Sequence, residues 1–117
     1  MSVTDIGIDL VSVGRFAGRG KGVEKYFLSP AEGAEFAALP PARRPLYLAT
    51  HWACKEAIFK ATGDRNYTAY TLSHREDGKP FLVGRPDLLI SISHDNDFVV
   101  VIIEKTERNE DSEHERK

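Results

Sequence analysis

Residues 44–63, RPLYLATHWACKEAIFKATG, decide the fold. From Arg44 or Pro45 to Ala61 the residues are mostly good helix formers, and Gly63 stands where a left-handed C-terminal cap is commonly found. The spacing predicts the longest helix of the chain. At about 100° per residue, Trp52, Glu56, Phe59, Lys60 and Gly63 share one face, which puts Glu56 among the large aromatics. A carboxylate in that position needs a cation or donors, because an unpaired buried charge is costly. Lys60, one turn on, completes a favourable i,i+4 pair with Glu56, although spacing alone favours an ordinary surface ion pair at the edge of a core.

Outward from this helix the signals alternate between strand and turn. Asp5 to Val13 is rich in β-branched residues and too short for a core helix, so it is expected to be a strand. Ser29-Pro30-Ala31-Glu32 combines an N-cap serine, a proline at the first helical position and a glutamate that closes a capping box. It starts a helix to about Leu39, which Pro40-Pro41 ends. Tyr67 to His74 alternates as a strand, Asp77-Gly78 is a hairpin turn, and Lys79 to Val83 returns as its partner. Arg85 to Leu88 is too short to classify. Leu89 to His94 and Phe98 to Glu104 flank Asp95-Asn96-Asp97 as a second hairpin. The expected fold class is α+β, with a mainly antiparallel sheet packed against the long helix and shorter helices.

The whole chain has 117 residues, 41% of them hydrophobic, which suits one core and leaves no room for a second. A single domain is expected over residues 1–105, and residues 106–117, charged and without an apolar anchor, as a disordered tail. With 16 basic and 18 acidic residues the net charge is −2, so nothing global draws the chain to nucleic acid or an anionic membrane. The longest apolar run, Phe98 to Ile103, is too short to cross a bilayer, and no signal segment opens the chain. One cysteine, Cys54, excludes an internal disulfide and fits a reducing compartment, so a cytoplasmic location is expected.

Three further positions carry chemistry. Asp9 interrupts the apolar first strand, where aspartate is depleted; a solvated strand face shared with Asp5 and Gly7 and a functional acid are equally good readings. If Asp9 meets Glu56, the two carboxylates repel unless a proton or metal lies between them. Magnesium suits such a pair, whereas the four histidines and one cysteine show no zinc spacing. Ser91-Ile92-Ser93-His94 ends at a turn, so His94 projects from a strand end; a turn histidine bonded to Asp95 or Asp97 is the simpler reading. Ser93 and His94 point to opposite faces, which speaks against a triad with Asp97. Lys55, Lys60, Arg15, His51, Arg43 and Arg44 supply the positive charge a phosphate needs, as a solvated helix face also would.

These pieces resemble a known order. Ile6 to Phe16, IGIDLVSVGRF, is similar to the opening block of holo-acyl-carrier-protein synthases, and Trp52 to Ala61, WACKEAIFKA, to their WxxKEAxxKA block. Leu28 to Glu32, Asp77-Gly78-Lys79-Pro80 and Ile92-Ser93-His94 match in the same order, so the resemblance spans about residues 5–104. It implies transfer of 4'-phosphopantetheine from coenzyme A to a serine of an apo acyl carrier protein of fatty acid, polyketide or other synthesis. Asp9 and Glu56 would then hold Mg2+ on the diphosphate, with Lys60 near the phosphates and Ser93-His94 near the adenosine-side phosphate. Lys55 and Arg15 would contact phosphate or the acidic carrier. Short members of the family are typically homotrimers with active sites between subunits. His51 stands where the family commonly has arginine, Ser12 at an often acidic position, Trp52 for a commoner phenylalanine, and the loop after Gly63 is short. These departures keep a second reading open, a catalytically silent subunit that binds coenzyme A or carrier. A phosphohydrolase using the same acids is a third.

Overall fold

A computed structural model describes residues 2–18 and 22–107. Strand β1 spans Val3–Ser12, β4 Leu88–His94 and β5 Phe98–Thr106, and they form one antiparallel sheet in the order β1-β5-β4. A separate hairpin pairs β2, Leu72–His74, with β3, Pro80–Leu82. Helix α1 spans Pro30–Ala37 and α2 Arg44–Thr62, with α2 lying across β1 and β5. This is the α+β arrangement expected from sequence.

The helix ends follow from their caps. Ser29 Oγ accepts from the Glu32 amide while the Glu32 carboxylate accepts from the Ser29 amide, which closes the capping box. Gly63 at φ 80° takes the left-handed conformation that ends α2, and its amide bonds the Phe59 carbonyl. At the tip between β4 and β5, Asp95 Oδ1 accepts from the amides of Asp97 and Phe98, at 2.7 and 2.8 Å.

Two elements differ from the sequence expectation. Tyr67–Ala69 is a turn of 3-10 helix, and only Leu72–His74 of the expected Tyr67 to His74 strand is extended. The physical reason lies under it: the Lys55 ammonium bonds the carbonyls of Tyr67 and Tyr70, curling that backbone around a point charge. Thr106, grouped with the tail, ends β5 and is buried, its hydroxyl bonding the Asp87 carbonyl. Glu107, also grouped with the tail, donates its amide to the Ser2 carbonyl at 2.9 Å, and residues 108–117 of the expected tail lie outside the described residues.

The sheet buries the face that its strand pattern makes look polar. On β1, Gly7, Asp9 and Val11 pair with Ile103, Val101 and Val99 of β5, all three buried, and face α2. Ile6, Ile8 and Leu10 face away and are 62, 53 and 65% exposed. Gly7 makes this orientation workable. A Cβ built there would collide with the Ala57 carbonyl and lie 2.9 Å from the Ala61 amide, so only glycine lets β1 come this close to α2.

Candidate active site

Close contact between β1 and α2 brings Asp9 onto the helix. Lys60 Nζ donates to the Asp9 carboxylate at 3.1 Å and to the Ile8 carbonyl at 2.9 Å, tying the strand to the last turns of α2. The solvated-face reading of Asp9 is therefore corrected: its carboxylate lies on the helix side of the sheet. The expected Glu56–Lys60 pair is corrected too, since Lys60 turns to Asp9.

Glu56 instead accepts from the Tyr67 hydroxyl, Oη to Oε2 at 2.9 Å. Both carboxylates act on that phenol, Glu56 through the hydrogen bond and Asp9 through space. Together with desolvation, the largest cause, they push Tyr67 up to about 12. Tyr67 is a candidate site residue that the sequence does not reveal, because its stretch reads as a strand rather than as a turn folded back over α2. The ring of Trp52, one turn before Glu56, meets the edge of Tyr67 at 5.7 Å. Arg15 lies 5.6 Å from the Trp52 ring and lines a small hollow with Phe16, Val23, Tyr26, Phe27 and Trp52. Asp9, Glu56, Lys60, Tyr67, Trp52 and Arg15 thus gather around one side of α2.

Lys55 does not join them. It is fully buried, and its ammonium bonds Glu32 Oε1 at 2.8 Å, the Tyr67 carbonyl at 2.9 Å and the Tyr70 carbonyl. All three ammonium donors are used, so the expected contact of Lys55 with phosphate or carrier is corrected to a structural role. Its partner Glu32 also accepts from the Leu72 amide at 2.8 Å, and so joins α1, α2 and β2. In the sequence Glu32 reads only as a capping residue, and nothing local reveals that its carboxylate also faces a lysine 23 positions on.

His51 is buried as well. Its Nδ1 is 2.9 Å from the Tyr47 carbonyl, which can only accept, so Nδ1 carries the proton and the ring stacks on Tyr47 at 3.9 Å. The other nitrogen faces Glu32 Oε2 at 3.4 Å without a hydrogen bond. Burial outweighs the attraction of Glu32 and holds His51 below its ordinary value, so the neutral ring fits this geometry. His51, His74 and His94 line a cleft of about 580 Å³ with Arg43, Tyr47 and Pro80. That cleft opens on a different side of α2 from Glu56, since five residues turn the helix by about 140°. Ser93 is exposed and pairs with Val100 in the β4–β5 ladder, on the opposite sheet face from His94. Cys54 is buried, and desolvation pushes its thiol up to about 12, which leaves it inert.

Among the described residues no group of three or more histidines, cysteines or carboxylates is placed to hold a metal ion by itself. The donor set is two carboxylates with a lysine beside them. That suits magnesium, which takes one or two carboxylates and completes its octahedron with water and substrate phosphate oxygens.

Comparisons with known proteins give the family of the chain. The model of the 4'-phosphopantetheinyl transferase superfamily matches residues 5–103. The chain belongs to that superfamily. It is a 4'-phosphopantetheinyl transferase of the holo-acyl-carrier-protein synthase type. The transferase is 35% identical over 116 residues to the holo-[acyl-carrier-protein] synthase of Geobacillus kaustophilus, covering 88% of this chain and 90% of that one. It is 32% identical over 106 residues to the same enzyme of Mycoplasma mobile, covering 90% and 92%. Among solved structures, the holo-(acyl-carrier-protein) synthase of Bacillus anthracis in complex with CoA (3',5'-ADP) matches at TM-score 0.76 and 24% identity, over 90% of this chain and 98% of that one. The holo-ACP-synthase of Plasmodium yoelii matches at TM-score 0.80 and 22% identity, over 92% and 98%. At these identities the two structures speak to the transferase fold. No helix among the described residues is long and apolar enough to cross a membrane.

Proposed function

We propose that the chain transfers 4'-phosphopantetheine from coenzyme A to a serine of an apo acyl carrier protein, with Mg2+ held by Asp9 and Glu56. The observation that carries this reading is the Lys60 bridge, which seats Asp9 on the same helix side as Glu56. In the reaction the serine oxygen bonds to the phosphorus bearing the pantetheine, the anhydride bond breaks, and 3',5'-ADP leaves while the serine proton passes to a base. The metal, when bound, neutralises diphosphate charge and orients the phosphates. Lys60 gives two of its three donors to Ile8 and Asp9 and keeps the third for a phosphate oxygen. Arg15 faces the carrier or a phosphate from the Trp52 side. His94 receives the adenosine-side phosphate in the cleft it shares with Arg43 and His51.

The exposed Ile6, Ile8 and Leu10, with Leu89 and Phe98, favour a homotrimer in which the outer sheet faces pack together. Acid pair and cleft would then meet across subunits, since they occupy different sides of α2 within one chain. The lone buried Cys54 fits the reducing cytoplasm.

The test is incubation with coenzyme A, magnesium and a panel of apo carriers, read by mass spectrometry. A gain of the phosphopantetheine mass is expected with wild-type protein, and Asp9→Asn should slow it by orders of magnitude with the fold intact. No gain on any carrier, or near-normal turnover in the variant, contradicts the reading. A second reading, a catalytically silent subunit, draws on the buried, neutral His51, which brings no fixed charge to the cleft. Magnesium-dependent coenzyme A binding without transfer to any carrier would favour it.

A further inference from the structure

The loop after α2 is built so that one phenol reaches one carboxylate. The Tyr67 carbonyl is fixed by Lys55, which is itself fixed by Glu32 in the core. Just before it, Asp64 Oδ1 accepts from the Asn66 amide at 2.9 Å, and Asp64 Oδ2 accepts from the Tyr70 hydroxyl at 2.7 Å, closing the loop on both sides of Tyr67. The Tyr67 ring stands edge-on to Trp52, so backbone and ring are both held. What remains is the hydroxyl, with one proton to give, and it gives it to Glu56 Oε2. An ionised glutamate can only accept, so the direction of the bond is set.

We infer that Tyr67 is a positioning residue for magnesium: its hydroxyl holds the Glu56 carboxylate in one rotamer toward Asp9, with Lys55 and Trp52 keeping the phenol in place. This rests on the reading of Asp9 and Glu56 as metal ligands. The physical ground is general. A glutamate on a helix surface has three rotatable bonds, and a ligand carboxylate left to sample them binds metal more weakly than one pinned by an outer hydrogen bond. Lys60 pins Asp9 on the strand side in the same manner. Each acid thus has its own holder, drawn from a different element.

The test is Tyr67→Phe in the full-length protein, which keeps the ring, its packing and the backbone carbonyl and removes one oxygen. Manganese binding in the presence of coenzyme A, followed by electron paramagnetic resonance of the free ion, should weaken about 10-fold or more, the size usual for loss of an outer partner of a metal ligand. The magnesium concentration for half-maximal rate should rise in step, while kcat at saturating magnesium is largely restored. In a Glu56→Gln background, Tyr67→Phe should add no further loss, since the group it positions is already altered. Thermal melting of each variant separates these effects from unfolding. Wild-type manganese affinity in Tyr67→Phe, with Asp9→Asn and Glu56→Gln both impaired, overturns the role of Tyr67 alone. Unchanged affinity in all three variants overturns the carboxylate site and the Tyr67 inference with it. A loss of kcat that saturating magnesium does not restore, with metal binding intact, overturns it as well.

Discussion

Glu32 and Lys55 set two opposite charges in the core, where the loss of hydration is repaid only if every remaining donor and acceptor finds a partner. Here they do: Lys55 has a carboxylate and two carbonyls, and Glu32 has Lys55 and the amides of Ser29 and Leu72. His51 beside them is the exception, with a buried nitrogen facing Glu32 and no hydrogen bond. Its depressed affinity for a proton fixes the sign of a pH effect. An unfolded imidazole titrates near the ordinary value of 6.5, whereas the folded one resists protonation. Below 6.5 the unfolded chain therefore binds more protons, and stability falls as pH drops toward the folded value. Melting temperature should rise between roughly pH 5.5 and 7.5, the range in which histidine changes charge, and His51→Gln should flatten that rise. An equal slope in the variant would show that other groups cause it.

Contact between β1 and α2 is the element-scale event on which the site depends. Elsewhere a strand packs on a helix through interleaved side chains, but at Gly7 the strand backbone itself meets the helix backbone at Ala57 and Ala61. Two residues further along the same strand face, Asp9 is then within reach of Lys60. Gly7→Ala must push the elements apart by the width of a methyl group against backbone that cannot yield. A loss of about 1–3 kcal/mol or more is expected from overpacking of this kind, read from urea unfolding. Transfer activity should fall further than stability predicts, because the same displacement carries Asp9 away from Lys60. Full activity in a folded Gly7→Ala protein would mean that the close approach does not position the acid.

At the scale of the molecule, the sheet has a buried side against α2 and an apolar side over which none of the described residues packs. Ile6, Ile8 and Leu10 line that second side on β1, and Val100 and Ile102 of β5 pair with Leu10 and Ile8. A face of this kind needs a cover, and copies of the same chain related by symmetry provide one without further machinery. The wild-type protein should sediment as a trimer. Ile8→Lys, which puts a charge in the middle of the stripe, should yield monomers that retain their helical signal but lose transfer. A wild-type monomer, or a variant trimer, would remove the argument for sites between subunits.

How much of this was legible in the sequence follows from the range of the forces involved. The capping box at Ser29 and Glu32, the left-handed Gly63, the Asp77-Gly78 turn and the long helix are set by neighbours within a few residues, and all are present as expected. Asp9 and Glu56 were likewise visible as chemical oddities in their elements, whereas Lys60 read as an ordinary i,i+4 partner of Glu56. Alternation along β1 showed that the strand has two faces, but not which one would meet α2, because the apolar face looked like the core face. Only the fold decided that, since Gly7 has no side chain to hold the helix off while Ile6 and Ile8 on the other face stay exposed. In the same way spacing put Glu56 in the buried stripe, whereas packing buried Lys55 and gave it to Glu32, a partner 23 residues away. Sequence by itself determined the elements and the candidate chemistry, through local bonds. Tertiary structure alone decided which charges were buried and which residue holds each acid, because those pairings are made between elements that meet only when the chain has folded.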